Sequence, residues 1–175
     1  MRSVFALMLL CMLGAGAASP PGEPLHFVPS RGEAGTAVRY VAERAGCRIL
    51  LADDAAVLAV DGARVRMRLD GANARPLVTG REPLPVAVDL LAGAADTWFV
   101  DASRFAEVHY EAVYPGVDLV YYGAAGRTLA FEFVLRPGAD PAALRVRLEG
   151  ARSLRLDPDG SLLVDLDGRT FRQLP

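Results

Sequence analysis

The stretch VYPGVDLVYYGAAGRTLAFEFVLRPGADP, Val113 to Pro141, decides the fold class. Tyr114-Pro115-Gly116 is a turn, because proline fixes φ near its turn value and glycine accepts positive φ. Val117 to Tyr122 then alternates β-branched, aliphatic and aromatic side chains, as a pleated strand requires. Gly123 to Arg127 brings the chain round. It returns with Leu129, Phe131, Phe133 and Leu135 on one face and Ala130, Glu132 and Val134 on the other, until Pro137-Gly138 stops it. The pattern predicts a β-hairpin with one buried face.

Outward from the hairpin the same grammar recurs. Val108 to Tyr114 alternates, with Val108, Tyr110, Ala112 and Tyr114 on one face and His109, Glu111 and Val113 on the other. Further upstream, Val65, Met67 and Leu69 oppose Arg64, Arg66, Arg68 and Asp70, so this strand has one wet face; the arginine row reads as solvated sheet surface rather than a phosphate site. Arg48 to Val60 reads as two short strands around Asp53-Asp54, followed by the turn signal Asp61-Gly62. Val86 to Leu91 is a short strand. Arg75 to Pro85, with Pro76, Gly80, Pro83 and Pro85, reads as a loop. In Thr36 to Ala45, propensity favours a helix, since Val38, Val41, Ala42 and Ala45 form a stripe that ends at Gly46.

Downstream, Leu144 to Leu148 and Leu154 to Leu156 are strands. Asp157-Pro158-Asp159-Gly160 turns the chain into Leu162 to Leu166, Asp165-Leu166-Asp167-Gly168 is a second, weaker turn, and Arg169 to Gln173 is a last strand signal. Many short strands at regular spacing predict an all-β chain with little helix, folded as an antiparallel β-sandwich. No internal repeat is present, which excludes a propeller within these residues.

Composition narrows the class further. A chain of 175 residues that is 52% hydrophobic and 23% charged fits one domain with an ample core. Net charge is −2 and there is no lysine, so no basic field exists to attract nucleic acid. Met1 to Ala18 reads as a secretory signal peptide: Arg2, an apolar run from Val4 to Leu13, then the small-x-small site Ala15-Gly16-Ala17, with cleavage expected near Ala17 or Ala18. The run is too short to span a bilayer, so no membrane span is expected in the mature chain. Residues 19–35 form an irregular proline-rich leader and edge segment, and residues 36–175 the sandwich. Cleavage removes Cys11 and leaves Cys47 as the only cysteine, so no intramolecular disulfide is available; Cys47 reads as a small apolar core residue.

Three blocks carry a resemblance: Val113 to Gly123 (VYPGVDLVYYG), Phe131 to Pro141 (FEFVLRPGADP) and Arg68 to Asn73 (RLDGAN). They are joined by Val38-Arg39-Tyr40, Gly93 with Trp98, Val108 with Tyr110, and Arg172-Gln173. The chain resembles the N-terminal domain of unknown function that precedes β-propeller repeats in bacterial SBBP-repeat secreted proteins. Ser30 and Glu33 depart from that family's pattern, as does Asp89-Leu90-Leu91. The resemblance implies an extracytoplasmic β-rich domain, in a truncated or stand-alone version, and implies a strand rather than a helix at Val38 to Val41. It brings no catalytic residues.

For chemistry, the hairpin offers one carboxylate pair. Asp118 and Glu132 fall on the same face at diagonal positions, near Tyr122, and two carboxylates roughly 5 to 9 Å apart are what glycoside hydrolysis uses. The structural reading is simpler: Asp118 accepts backbone N–H groups beside the Pro-Gly turn, and Glu132 pairs with an arginine. Trp98, the single tryptophan, is a packing aromatic or, with Tyr122, a sugar platform. Asp157-x-Asp159-Gly160 and Asp165-x-Asp167-Gly168 lack the ligands of a calcium loop, so no metal is expected. His109 and Glu111 lack a nucleophile partner, and no Gly-rich phosphate loop follows a strand, so no cofactor is expected. The sequence therefore reads as a secreted or cell-surface, non-enzymatic module, structural or adhesion-type, with a carbohydrate-binding or carbohydrate-active domain using Asp118 and Glu132 as the alternative. Its expected partner is a set of downstream propeller repeats, or another chain meeting an exposed C-terminal sheet edge.

Overall fold

Between Val117 and Leu135 the hairpin forms with the register that its alternation demands. Asp118 faces Val134, Val120 faces Glu132 and Tyr122 faces Ala130, so Leu119, Tyr121, Phe131 and Phe133 share the opposite, buried face. The structure is a computed structural model that describes residues 3–10, 25–32, 37–44, 47–60, 62–85, 103–124, 128–166 and 169–174. Its strands are β1 (Ser3–Leu10), β2 (Val28–Pro29), β3 (Val38–Arg44), β4 (Cys47–Ala52), β5 (Ala55–Val60), β6 (Ala63–Leu69), β7 (Leu77–Leu84), β8 (Arg104–Tyr114), β9 (Val117–Ala124), β10 (Thr128–Leu135), β11 (Val146–Glu149), β12 (Ser153–Leu156), β13 (Leu162–Leu166) and β14 (Arg169–Leu174). A 3₁₀ turn, Pro141–Ala143, is capped by the Asp140 carboxylate.

Two antiparallel sheets result. One has the order β12-β13-β14-β1-β10-β9-β8-β7 and the other β11-β6-β5-β4-β3-β2. Their inner faces meet in one core that joins Ile49, Leu51, Leu58 and Val65 of the second sheet to Val108, Leu119, Phe131 and Val164 of the first. An aromatic row crosses the first sheet through that core: Tyr110 to Tyr121 at 5.6 Å, Tyr121 to Phe131 at 6.0 Å and Phe131 to Phe133 at 6.0 Å between ring centroids. The all-β antiparallel sandwich is thus the observed architecture.

One short segment ties the two sheets together. Phe27 exchanges both backbone hydrogen bonds with Phe105 of β8, at 2.8 and 3.0 Å, while the next two residues are β2 and pair with β3. Leu25, just before it, lies over Gly123, where an added Cβ would stand 2.7 Å from the Leu25 Cβ and 3.0 Å from its carbonyl oxygen. At the other side of the sandwich the chain crosses from β11 to β12 through Gly150, at φ 90°, where a Cβ would meet the Arg64 carbonyl at 2.6 Å. Only glycine fits both demands.

Four expectations need correction. Val38–Arg44 is strand, as the resemblance implies and against the helical stripe that propensity favours, because the segment is held between β2 and β4 and only one of its faces is buried. Most of Arg75 to Pro85 is not a loop: Leu77–Leu84 is β7, and its one proline, Pro83, is tolerated because it is the outermost strand of its sheet. In β8, a register shift between Tyr110 and Tyr114 breaks the alternation, so that Val113 is buried and Ala112 exposed. The C-terminal strand is not an edge: β14 lies between β13 and β1, and the edges of that sheet are β12 and β7. The segment read as the core of a signal peptide is β1, paired on both sides; Val86 to Leu91 and Trp98 lie outside the described residues.

Gly123→Ala should destabilise the fold by about 1 to 3 kcal/mol, because Leu25 contributes backbone as well as side chain to the close approach and cannot rotate away. Urea unfolding of the variant checks this. A midpoint equal to that of the parent would mean that Leu25 does not hold its place over β9.

Candidate functional site

Of the sequence-predicted site residues, Asp118 is the most fully engaged. Ala112 takes a left-handed backbone conformation, φ 54°, which a non-glycine residue adopts at a cost of roughly 1 kcal/mol. The Asp118 carboxylate holds it: the Ala112 N–H donates to Asp118 Oδ1 at 2.8 Å, and Arg136 Nη2 donates to Oδ2 at 3.2 Å. The bulge that results turns both Val113 and Tyr114 inward.

That bulge is also where the resembling blocks meet. Asn73 donates its backbone N–H to the Val113 carbonyl at 2.8 Å and its side-chain amide to the Ala112 carbonyl at 3.4 Å. The Tyr114 hydroxyl donates to the Asp70 carbonyl at 2.9 Å, and the Arg145 N–H donates to that hydroxyl at 3.4 Å. RLDGAN and VYPGVDLVYYG are therefore two halves of one clasp between the sheets.

Beside the clasp, at the same end of the sandwich, lies a cleft of about 180 Å³ lined by Asp53, Asp54, Asp70, Asn73, Tyr110 and Tyr121, among others. Each aspartate there has a guanidinium partner. Arg39 grips Asp53 with two bonds, 2.7 and 2.9 Å; Arg66 reaches Asp54 at 3.0 Å and Arg68 at 3.5 Å; Arg147 reaches Asp70 at 2.7 Å. The hydrogen bond to Asp53, then its charge, raises the Arg39 pKa, and Asp70 does the same for Arg147. Among the described residues no group of three or more His, Cys, Asp or Glu side chains could hold a metal ion. Sequence reasoning missed this cleft because its aspartates face residues distant in the chain, Tyr110 and Tyr121 of the other sheet and Arg147 of β11.

Glu132 and Tyr122 belong to a different surface. On the face of the first sheet turned away from the core, His109 faces Val120, which faces Glu132, and Glu107 faces Tyr122. His109 Nε2 lies 2.7 Å from Glu107 Oε2. Burial, then the Glu132 and Glu107 carboxylates, raises the Tyr122 pKa. Asp118 and Glu132 do share a face at diagonal register positions, yet Asp118 is held by Arg136 and the bulge. Cys47 packs, half-buried, against the core.

Residues 27–175 match the family described as a domain of unknown function, DUF7948. No curated protein and no solved structure matches the chain. The match takes in β2 to β14 and leaves β1 outside it.

If Asp118 serves the bulge, Asp118→Ala should cost about 1 to 3 kcal/mol, and Ala112→Gly in that background should restore about 1 kcal/mol by removing the left-handed strain. Denaturant titration of the two single variants and the double variant measures the coupling; strictly additive effects would break the link between the two residues. A second expectation concerns alkali. Burial raises the pKa values of Tyr110 and Tyr121, so their contribution is complete below the ordinary tyrosine value of about 10 and is lost as pH climbs from there toward the folded-state values. Stability should be level to about pH 9 and fall above about pH 10. Tyrosinate absorbance should then rise together with unfolding, whereas ionisation of both tyrosines near pH 10 in a still-folded protein would contradict it.

Proposed function

The chain belongs to the family of a domain of unknown function, DUF7948, and on that premise we propose that it is an exported, non-enzymatic sandwich module, structural or adhesion-type, of a bacterial envelope or secreted protein. The observation that carries the non-enzymatic part is the way its acidic side chains are engaged. Asp118 braces a strained bulge, and Asp53, Asp54 and Asp70 are neutralised in place by arginines that reach them from neighbouring strands. A general acid or a nucleophile needs a carboxylate free to change its charge during turnover. Here these four carboxylates serve as ties, beside the clasp that Asn73 and Tyr114 make between the sheets.

Export rests on the pattern of Met1 to Ala18, and the family match, which begins after that segment, supports treating it as separate from the domain. The downstream repeats implied by the resemblance belong to the same proposal. A module of this kind presents surface and spaces its neighbours, and a rigid clasp between its sheets suits that task.

N-terminal sequencing of exported protein should find a start at Ala18 or Ser19; an intact Met1 would overturn the export reading. Incubation with a panel of polysaccharides should release no reducing sugar. Release that Glu132→Gln abolishes would replace this reading with the carbohydrate-active one.

A further inference from the structure

Strand β1 holds a position in its sheet that no other described strand fills. It pairs antiparallel with β10 from Ser3 opposite Leu135 to Leu9 opposite Leu129, and antiparallel with β14 where Met8, Leu9 and Leu10 face Leu174, Gln173 and Arg172. In the strand order, β12, β13 and β14 reach β10 only across β1. Since β1 is antiparallel to both neighbours, β10 and β14 run parallel to each other, roughly 9 to 10 Å apart, two strand spacings. Their facing edges are two rows of N–H and C=O groups that β1 satisfies.

The slot also has a side-chain specification. On β10, Leu129, Phe131, Phe133 and Leu135 are buried in the core, and the register sets Leu9, Leu7, Phe5 and Ser3 opposite them. Ala130, on the other face of β10, is fully buried as well. A strand entering here needs apolar residues at alternate positions toward the core and small or apolar ones on the other face. Val4 to Leu9 has the composition for both demands, without a charge.

We propose that the gap between β10 and β14 is a strand-acceptor site that, once the leader is removed, takes an extended, uncharged segment from outside the described domain, apolar at alternate positions and antiparallel to both walls. This rests on the export reading, which removes β1 from the mature chain. Two observations favour an occupant from outside the domain: the family match begins at residue 27, so β1 is not part of it, and each described strand from β2 to β14 already has its own place in a ladder. Closing the gap by direct β10–β14 contact would give a parallel pair and would displace Val164 and Leu166, which β13 contributes to the core. Backbone pairing along both walls supplies affinity, and the alternating pockets supply specificity. Before cleavage the leader itself fills the site.

The test uses the full chain with a protease site inserted between Ala18 and Ser19. After cutting, the leader fragment should co-elute with the domain. A labelled peptide of residues 3–10 with a charged solubilising tail should displace it, and the same peptide carrying Phe5→Asp and Leu7→Asp should bind at least about 50-fold more weakly. Amide exchange in β10 and β14 should slow when the peptide binds. Release of the leader with no peptide uptake, while β10 and β14 amides stay protected, would overturn the proposal by showing that the sheet closes on itself. Should the cut domain aggregate, residues 3–10 grafted after Pro175 through a flexible linker should restore a monomer with a cooperative melt; a graft with the two aspartates performing equally well would equally overturn it. The export reading fails separately, by an intact Met1 in exported protein, and leaves the peptide result untouched.

Discussion

The left-handed turn at Ala112 is the constraint on which the rest of this structure depends. A strand with unbroken alternation would send Val113 to the opposite face from Tyr114, and only one of them could enter the core. By adding two residues on its own side of the ladder, β8 delivers both inward, and the Tyr114 hydroxyl then reaches the Asp70 carbonyl of the second sheet. The strain is local and the tie is long-range. Asp118 makes the exchange possible, because a carboxylate two residues past the Pro-Gly turn can accept the N–H that the bulge leaves out of the ladder.

Around that point, the electrostatics follow a single rule. Strands β6 and β11 pair with Arg66 opposite Glu149 and Arg68 opposite Arg147, which places like charges together unless acids intervene. Asp54, Asp70 and Glu149 are the acids that do so. Such exposed pairs contribute little individually to stability. Their effect is on geometry, since those at Asp54 and Asp70 hold the strand ends at the cleft against the sheet beside them and neutralise carboxylates that line the cleft, while Glu149 pairs across the ladder with Arg66 and Arg68.

Local pattern made much of this fold legible. The central hairpin has the strands and faces that its alternation required, β6 has the wet arginine face read from Arg64, Arg66 and Arg68, and Asp157 to Gly160 closes as a turn, with the Gly160 N–H donating to the Asp157 carbonyl at 2.9 Å. What escaped was non-local. A proline-bearing segment becomes β7 only because β8 is there to pair with one of its sides. A helical stripe at Val38 becomes β3 because β4 offers a ladder and the core wants one face, not a 3.6-residue repeat. The cleft aspartates are assembled from β4–β5 and β6, and the bulge announces itself by no residue that propensity would flag, alanine being the last choice for positive φ.

The sheet edges show where this fold could accept another strand, and where it resists one. At β7 the outer strand carries Pro83, and at β2 the last residue is Pro29; both remove N–H donors from an edge. At β11, Arg147 and Glu149 put paired charges along the margin. The fourth edge, β12, is only four residues long and intersperses Arg155 between the exposed Leu154 and Leu156, so a partner gains two apolar contacts and loses a solvated cation. Each blunted edge weakens pairing from outside. The long unblunted ladder lies in the interior, along β10, where every second residue is buried and apolar and where the strand alongside is the one that the proposed export would remove. A sheet protected at its margins and, on the proposed export, opened at its centre would bind by insertion rather than by addition, and insertion uses two rows of backbone groups where an edge offers one.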